Sequence, residues 1–333
     1  MRFRRRLATG SLGLLLLLAA CQPGRRSEAP SPQQVADAFV SQVVIPRYQQ
    51  LVVRSQRLSD ALDALAANPG PAQLEAARQA WQTAREAWET GESWAFGPAA
   101  SGGFDGNLDD WPVNEKDLSA ALVSGSLSPE LFARLTTTAK GFHGIEAVLY
   151  GVSGERPQAS QLSAAQRNYL RLAGADLAAN AKGLLQAWEG PTGFGSTFTA
   201  DADGAVAEIL QGLVGTLEEV SAEKLGAPLQ SRQKGDLESL YSQNTGADIQ
   251  ANLAGVVEVL DRSGLLALIT SRDAELGRSL RQALEQAQAS ARVLPDPLGN
   301  ALNDPAGRQQ IKALIAGSDR SAALLKQAVA QVS

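Results

Sequence analysis

The sequence predicts an all-α fold of two helical bundles in tandem, and three observations predict it. Ala, Leu and Gln abound in the 333 residues. Apolar positions recur at helical spacing, with none of the two-residue alternation that marks a half-buried strand. Gly, Pro and Asn fall in clusters between long segments rather than inside them. Roughly 300 residues lie beyond the N-terminal leader, enough for one large or two ordinary domains with real cores.

The leader reads MRFRRRLATGSLGLLLLLAACQPGRRSEAP. Four arginines precede an apolar run from Leu12 to Ala20, shorter than the roughly 20 residues that span a bilayer. Leu18-Ala19-Ala20-Cys21 resembles a bacterial lipobox. Residues 1–20 are therefore expected to be a lipoprotein signal peptide, with Cys21 the lipidated first residue of the mature chain. An ordinary secretory signal followed by a chance cysteine is the alternative. The expected location is the bacterial cell envelope, facing the periplasm or the cell surface, with the membrane as a partner through acyl chains. A stable anchor takes more than one chain. Residues 21–33, rich in Pro, Ser, Gly and charge, read as a flexible tether.

Cys21 is the only cysteine and Met1 the only methionine. Disulfides, thiolate metal sites, cysteine catalysis and thioether copper sites are thereby excluded. The formal charge of −5 includes the signal arginines, so the mature chain is more acidic still. That balance argues against nucleic acid and against an electrostatic membrane patch.

The N-terminal bundle is expected over residues 34–155. A first helix runs from about Gln33 to Ala67, kinked at Pro46 and ended by Asn68-Pro69-Gly70-Pro71. A second covers about Pro71 to Trp94. A glycine-rich loop follows, then a short helix after Asn114, whose spacing to Asp117 suits an N-cap pair. A third long helix covers about Pro129 to Tyr150. A joint near Gly151–Ser160 leads to the C-terminal bundle, 156–333. Helices are expected there near Ser163–Glu189, Ala202–Leu225, Lys234–Tyr241, Asp248–Leu260, Ala274–Ala291 and Pro305–Gln331.

Three stretches could carry chemistry. GFHGIEAVLYG (141–151) holds His143, the only histidine, three residues before Glu146. On a helix the two share a face and can reach one ion, as i, i+3 His/carboxylate pairs do in bundle metal sites. Gly141 and Gly144 each cost about 1 kcal/mol in a helix interior, which points to close approach of another backbone or a ligand. The plain alternative is a buried histidine bonded to Glu146 at a helix crossing. Trp81 to Asn114 holds four of the five tryptophans. Trp81, Arg85, Trp88 and Glu92 form one helical stripe, suited to the wall of a polar pocket or to a half-buried face with internally paired charges. Asp105, Asp109 and Asp110 then cluster before Trp111-Pro112, where a solvated turn is the default. In ESLYSQNTGADI, from Glu238, Thr245 and Asp248 have capping-box spacing.

Together these stretches resemble the imelysin-like family, also called insulin-cleaving membrane proteases. Its hallmark Gly-x-His-x-x-Glu is present as Gly141, His143 and Glu146. The Trp/Arg helix running into Phe96-Gly97-Pro98, the Asp-x-Trp-Pro element from Asp109 to Pro112, and ESLYSQNTGADI are similar too, in order along nearly the whole mature chain. The resemblance implies two helical bundles with a pocket at or near their interface, in an exported and often lipid-anchored protein. Members are classed as metallopeptidases, and relatives occur in periplasmic iron uptake.

A common catalytic zinc site needs two histidines and a carboxylate, and this chain has one histidine. The leading expectation is therefore a divalent metal site, iron favoured and zinc a candidate, in an acquisition or homeostasis role with metal-uptake components as partners. His143 and Glu146 would be ligands, completed by Glu92 or Glu89 and by Asp109 or Asp110. Arg85 would orient a carboxylate or bind an anion, and Trp88, Trp111, Gly141, Gly144 and Asn244 would line the pocket. The alternatives are a metallopeptidase, with Glu146 as ligand or general base, and a non-catalytic envelope interaction protein.

Overall fold

The computed structural model describes residues 29–123, 127–152 and 156–332, and every regular element among them is helical. The expected signal peptide and Cys21 lie outside the described residues. In chain order the α-helices are α1 (Pro32–Ala38), α2 (Ile45–Ala67), α3 (Pro71–Thr90), α4 (Pro98–Ser101), α5 (Phe104–Asp109), α6 (Glu115–Val123), α7 (Pro129–Ala133) and α8 (Gly141–Tyr150). Then come α9 (Ala164–Trp188), α10 (Phe194–Phe198), α11 (Ala202–Glu219), α12 (Ala227–Ser231), α13 (Thr245–Arg262), α14 (Leu265–Arg272), α15 (Ala274–Arg292) and α16 (Pro305–Val332). No described helix is long and apolar enough to cross a membrane.

Two of the joins use one device. A π-helical segment, Phe39–Val44, carries α1 into α2, and its last turn closes with Ile45 N–H on Val40 C=O. Pro46 follows at the start of α2. Proline removes a donor and crowds the carbonyl four residues back, and the wider π turn relieves both demands. Val220–Gly226 does the same ahead of Pro228, so the break expected at Gly226 is a continuation into α12.

One bundle is α2, α3, α8 and α9, with the short helices α4 to α7 over it, and the other is α11 with α13 to α16. The packing does not follow the boundary expected at 155/156. Helix α9 lies chiefly along α2, while α1 packs on α11 of the other bundle. Consecutive helices tend to be spatial neighbours, so a boundary drawn in the loop before α9 separates two helices, α8 and α9, that pack together. The main contact between the bundles is α3 on α13. A Cβ on Gly255 of α13 would collide with the Thr90 carbonyl of α3, so only glycine permits this approach.

The helix expected over Pro129–Tyr150 is broken. Helix α7 stops at Ala133, a 3₁₀ turn covers Thr137–Ala139, and α8 begins at Gly141. His143 therefore sits in the first turn of a short, wholly buried helix. Lys234–Tyr241, also expected as helix, is a 3₁₀ turn (Lys234–Asp236) followed by turns. Elsewhere the caps agree with the sequence: Asn114 and Asp117 bond reciprocally (3.1 and 2.9 Å), and Ser163 with Gln166 forms a capping box on α9.

Both glycines of the motif answer to neighbouring protein atoms. Gly141 has φ +60°, and a Cβ there would meet the Leu108 carbonyl; one on Gly144 would meet the Tyr169 hydroxyl, which donates to Ala139 C=O at 2.8 Å. Gly141→Ala is expected to cost about 2 kcal/mol or more in chemical denaturation, from the left-handed backbone and the clash together. Gly215→Ala, in the middle of α11 with nothing near its Cβ position, should instead stabilise by about 1 kcal/mol.

A buried charge cluster as candidate metal centre

The C-terminal half of α3 points Arg85 and Glu89 into the interface with α13. Arg85 is fully buried, and its guanidinium pairs with Glu89, with Asp109 and with Glu238 at 3.0 Å. Asp248 lies 3.7 Å from its Nε. These four carboxylates come from α3, the end of α5, the segment before α13, and α13 itself. Lys224, carried in by the π segment Val220–Gly226, is 3% exposed and reaches Glu89 at 2.8 Å, Glu238 at 3.0 Å and Glu219 at 3.5 Å. Asn252 donates to both the Glu89 backbone and its carboxylate.

His143 enters from α8. Its Nδ1 lies 3.0 Å from Glu146 Oε2, while Glu146 Oε1 accepts from the Ser242 N–H and hydroxyl, each at 2.7 Å. With Glu146 an acceptor on all sides, Nδ1 carries the proton toward it. Nε2 then faces the cluster, 3.2 Å from Asp109 Oδ1 but outside hydrogen-bond alignment. Burial and Arg85 oppose protonation of the imidazole; pairing with Asp109 and Glu146 outweighs them and pushes it up to about 9.

Six carboxylates (Glu89, Glu92, Asp109, Glu219, Glu238 and Asp248) thus surround two permanent cations, Arg85 and Lys224. Buried charges of one sign cannot all stay ionised side by side. Burial pushes Asp248 up to about 7 against the pull of Arg85, and raises Glu92 well above the usual range, with Glu219 adding to the effect. Asp109 moves the other way: burial opposes it, but Arg85 holds it below the ordinary value. Among the described residues, Glu92 Oε2 is buried with neither a hydrogen bond nor an ion pair, a costly state for a polar atom. Glu89 Oε1, Glu238 Oε2 and His143 Nε2 lack an aligned hydrogen bond but face Arg85, Lys224 and Asp109 respectively. Asp109, His143 and Glu238 each offer one donor atom within 4.8 Å of the others; so do Glu89, Glu92 and Asp109, and Glu89, Glu238 and Asp248.

The structure sorts the expected residues. His143, Asp109, Glu89, Glu92 and Arg85 converge, and Trp88 joins them by donating its indole N–H to Asp109 at 2.6 Å. Asp109 is thus no solvated turn; its side chain is 8% exposed. Glu146 stands behind His143, in none of the three donor sets, so it orients the ring rather than facing the ion. Asp110 turns away to the Thr137 hydroxyl, and Trp111 lies 37% exposed at the surface. Asn244 touches the cluster from outside, donating to Asp248 at 2.7 Å. Asp248 accepts from Ser239 at 2.5 Å and belongs to the cluster rather than to a capping box.

Lys224, Glu238, Ser242 and Asn252 went unmarked in the sequence. Glu238 and Ser242 fall inside the family-like ESLYSQNTGADI and could have been suspected. Lys224 and Asn252 carry no sequence signal, because their partner Glu89 lies 135 and 163 residues away.

Two outcomes test this geometry in the metal-free protein. With one histidine in the chain, NMR should show a single imidazole titrating near 9. Since the folded value lies above the ordinary 6.5, its stabilisation is full below about 6.5 and lost as pH rises through about 9. An imidazole titrating near 6.5 would contradict the pairing. Lys224→Met leaves Glu89 and Glu238 undercompensated and should cost about 3–5 kcal/mol in denaturant titration.

The chain resembles known proteins over most of its length. The family model described as Imelysin (Peptidase_M75) matches residues 44–325. A protein named iron-regulated protein A, from Synechococcus elongatus, is 33% identical, covering 92% of this chain and 87% of that protein. Among solved structures, one described as an iron-regulated protein A precursor, from Parabacteroides distasonis, superposes with a TM-score of 0.81 at 18% identity, over 92% of this chain and 97% of that one. An imelysin-like protein from Psychrobacter arcticum gives 0.77 at 20% identity, over 92% and 96%. At those identities the two structures speak to the fold alone. The matched span and the relative at 33% identity settle the family: this chain belongs to the imelysins.

Proposed function

We propose that this imelysin is an exported, lipid-anchored envelope protein that holds a divalent metal ion, iron favoured over zinc, and serves metal acquisition or homeostasis alongside metal-uptake components. The observation that carries the reading is the surplus of buried carboxylates around His143 Nε2, which faces Asp109 Oδ1 at 3.2 Å without an aligned hydrogen bond. A cation would neutralise the first and occupy the second. Asp109, His143 and Glu238 would hold the ion, with Glu89 and Glu92 on the neighbouring side of Asp109. One imidazole among carboxylates is an oxygen-rich donor set of the kind iron accepts. Arg85, bridging Asp109 and Glu238, orients those carboxylates and competes with the ion for their charge. Glu146 fixes the imidazole so that Nε2 is the free donor. The name of the relative from Synechococcus elongatus supports iron, and the leader sequence supports the envelope.

Burial weighs against cleavage of a polypeptide at this site. His143 is 1% exposed and Glu146 is fully buried, so a peptide bond has no path to either without rearrangement.

The test is metal content after reconstitution with iron and with zinc. Wild-type protein should retain stoichiometric metal with iron preferred, and His143→Ala should lose most of it while still unfolding cooperatively. Equal, near-zero content in both would overturn the reading. Chelator-sensitive peptide cleavage that vanishes in both His143→Ala and Glu146→Gln would replace it with a peptidase.

A further inference from the structure

Beside the cluster, and outside it, lies a cleft of about 460 Å³ lined by Gln82 of α3, Arg156, the start of α13 with the residues before it, and residues 292–297. Its floor is shared with the buried site: Ser242 and Asn244 line it and also bond Glu146 and Asp248. Two arginines from different parts of the chain line it as well, Arg156 beyond α8 and Arg292 at the end of α15. Neither makes an ion pair with a carboxylate among the described residues, in contrast to Arg85, Arg262 and Arg281. Arg156 lies instead with its guanidinium 5.7 Å from the centre of the Tyr150 ring. Gln82, Gln243, Asn244 and Gln250 supply amide groups, and Asp296 is the one acidic side chain on the lining. Arg156 (φ 44°) and Gln243 (φ 66°) hold left-handed backbone without being glycine, a strain that persists where surrounding structure demands it.

We infer that this cleft binds a small hydroxylated polycarboxylate anion. Guanidinium groups pair carboxylates through two parallel hydrogen bonds, and two of them in one cleft suit a molecule with more than one carboxylate. Amide side chains donate to and accept from its hydroxyls. The volume lies within the range that takes a whole small molecule rather than a single ion. The first turn of α13, whose N-cap Asn244 makes no side-chain cap, opens onto the same space and favours negative charge. This site does not depend on whether the neighbouring cluster holds a metal.

Calorimetric titration of the protein with citrate at low salt tests it. Wild type should bind, and Arg156→Gln and Arg292→Gln should each weaken binding about tenfold or more, with the double variant showing none. His143→Ala should bind citrate as wild type does, which separates this cleft from the metal centre. Both arginines are exposed, so the variants should unfold at the wild-type temperature. Four results would overturn the assignment. They are no binding of citrate by wild type, undiminished binding in the double variant, loss of binding in His143→Ala, or inorganic phosphate binding as tightly as citrate.

Discussion

Arg85 is the interaction on which the centre of this molecule depends. A guanidinium with no exposed surface is tolerable only when opposite charge surrounds it. Here that charge is drawn from α3, α5, the segment before α13, and α13 itself. Satisfying one side chain therefore aligns four stretches of chain from both bundles. The glycine at 255 permits the closeness: with any Cβ there, α13 could not reach the Thr90 carbonyl, and Asp248 and Asn252 would stand off from α3.

Those demands leave more carboxylates than cations. Lys224 reduces the excess from the far bundle, and burial raises the proton affinity of Asp248 and Glu92. His143 completes the arrangement, held by Glu146 on one side and facing Asp109 at 3.2 Å on the other. On the proposed reading, a bound cation would exchange protons and existing pairings for direct ligation. Ser242 and Asn244 bond Glu146 and Asp248 and also line the polar cleft beside the cluster.

Much of this was legible in the sequence. The helical class followed from spacing and clustered breakers, and the Trp81–Arg85–Trp88 stripe marked the face of α3 that meets the cluster. The His143–Glu146 pair was found, but its division of labour was not. Spacing says that two side chains share a helix face, and only the Ser242 contacts show that Glu146 is already occupied. The break at Thr137–Ala139 was hidden because TTTAK carries no glycine or proline to announce it. Asp109 and Asp110 are neighbours of equal chemistry, and their opposite fates depend on where α5 ends. The helix packing also escaped the sequence, since connectivity cannot reveal that α9 chooses α2 while α1 chooses α11.

The most direct test of the central claim is anomalous diffraction at the iron edge from crystals of the iron-reconstituted protein. The account predicts one strong peak within coordination distance of His143 Nε2 and an Asp109 carboxylate oxygen, with Glu146 in the layer behind. A cluster without a peak, or iron bound only at surface carboxylates away from Arg85, would contradict it.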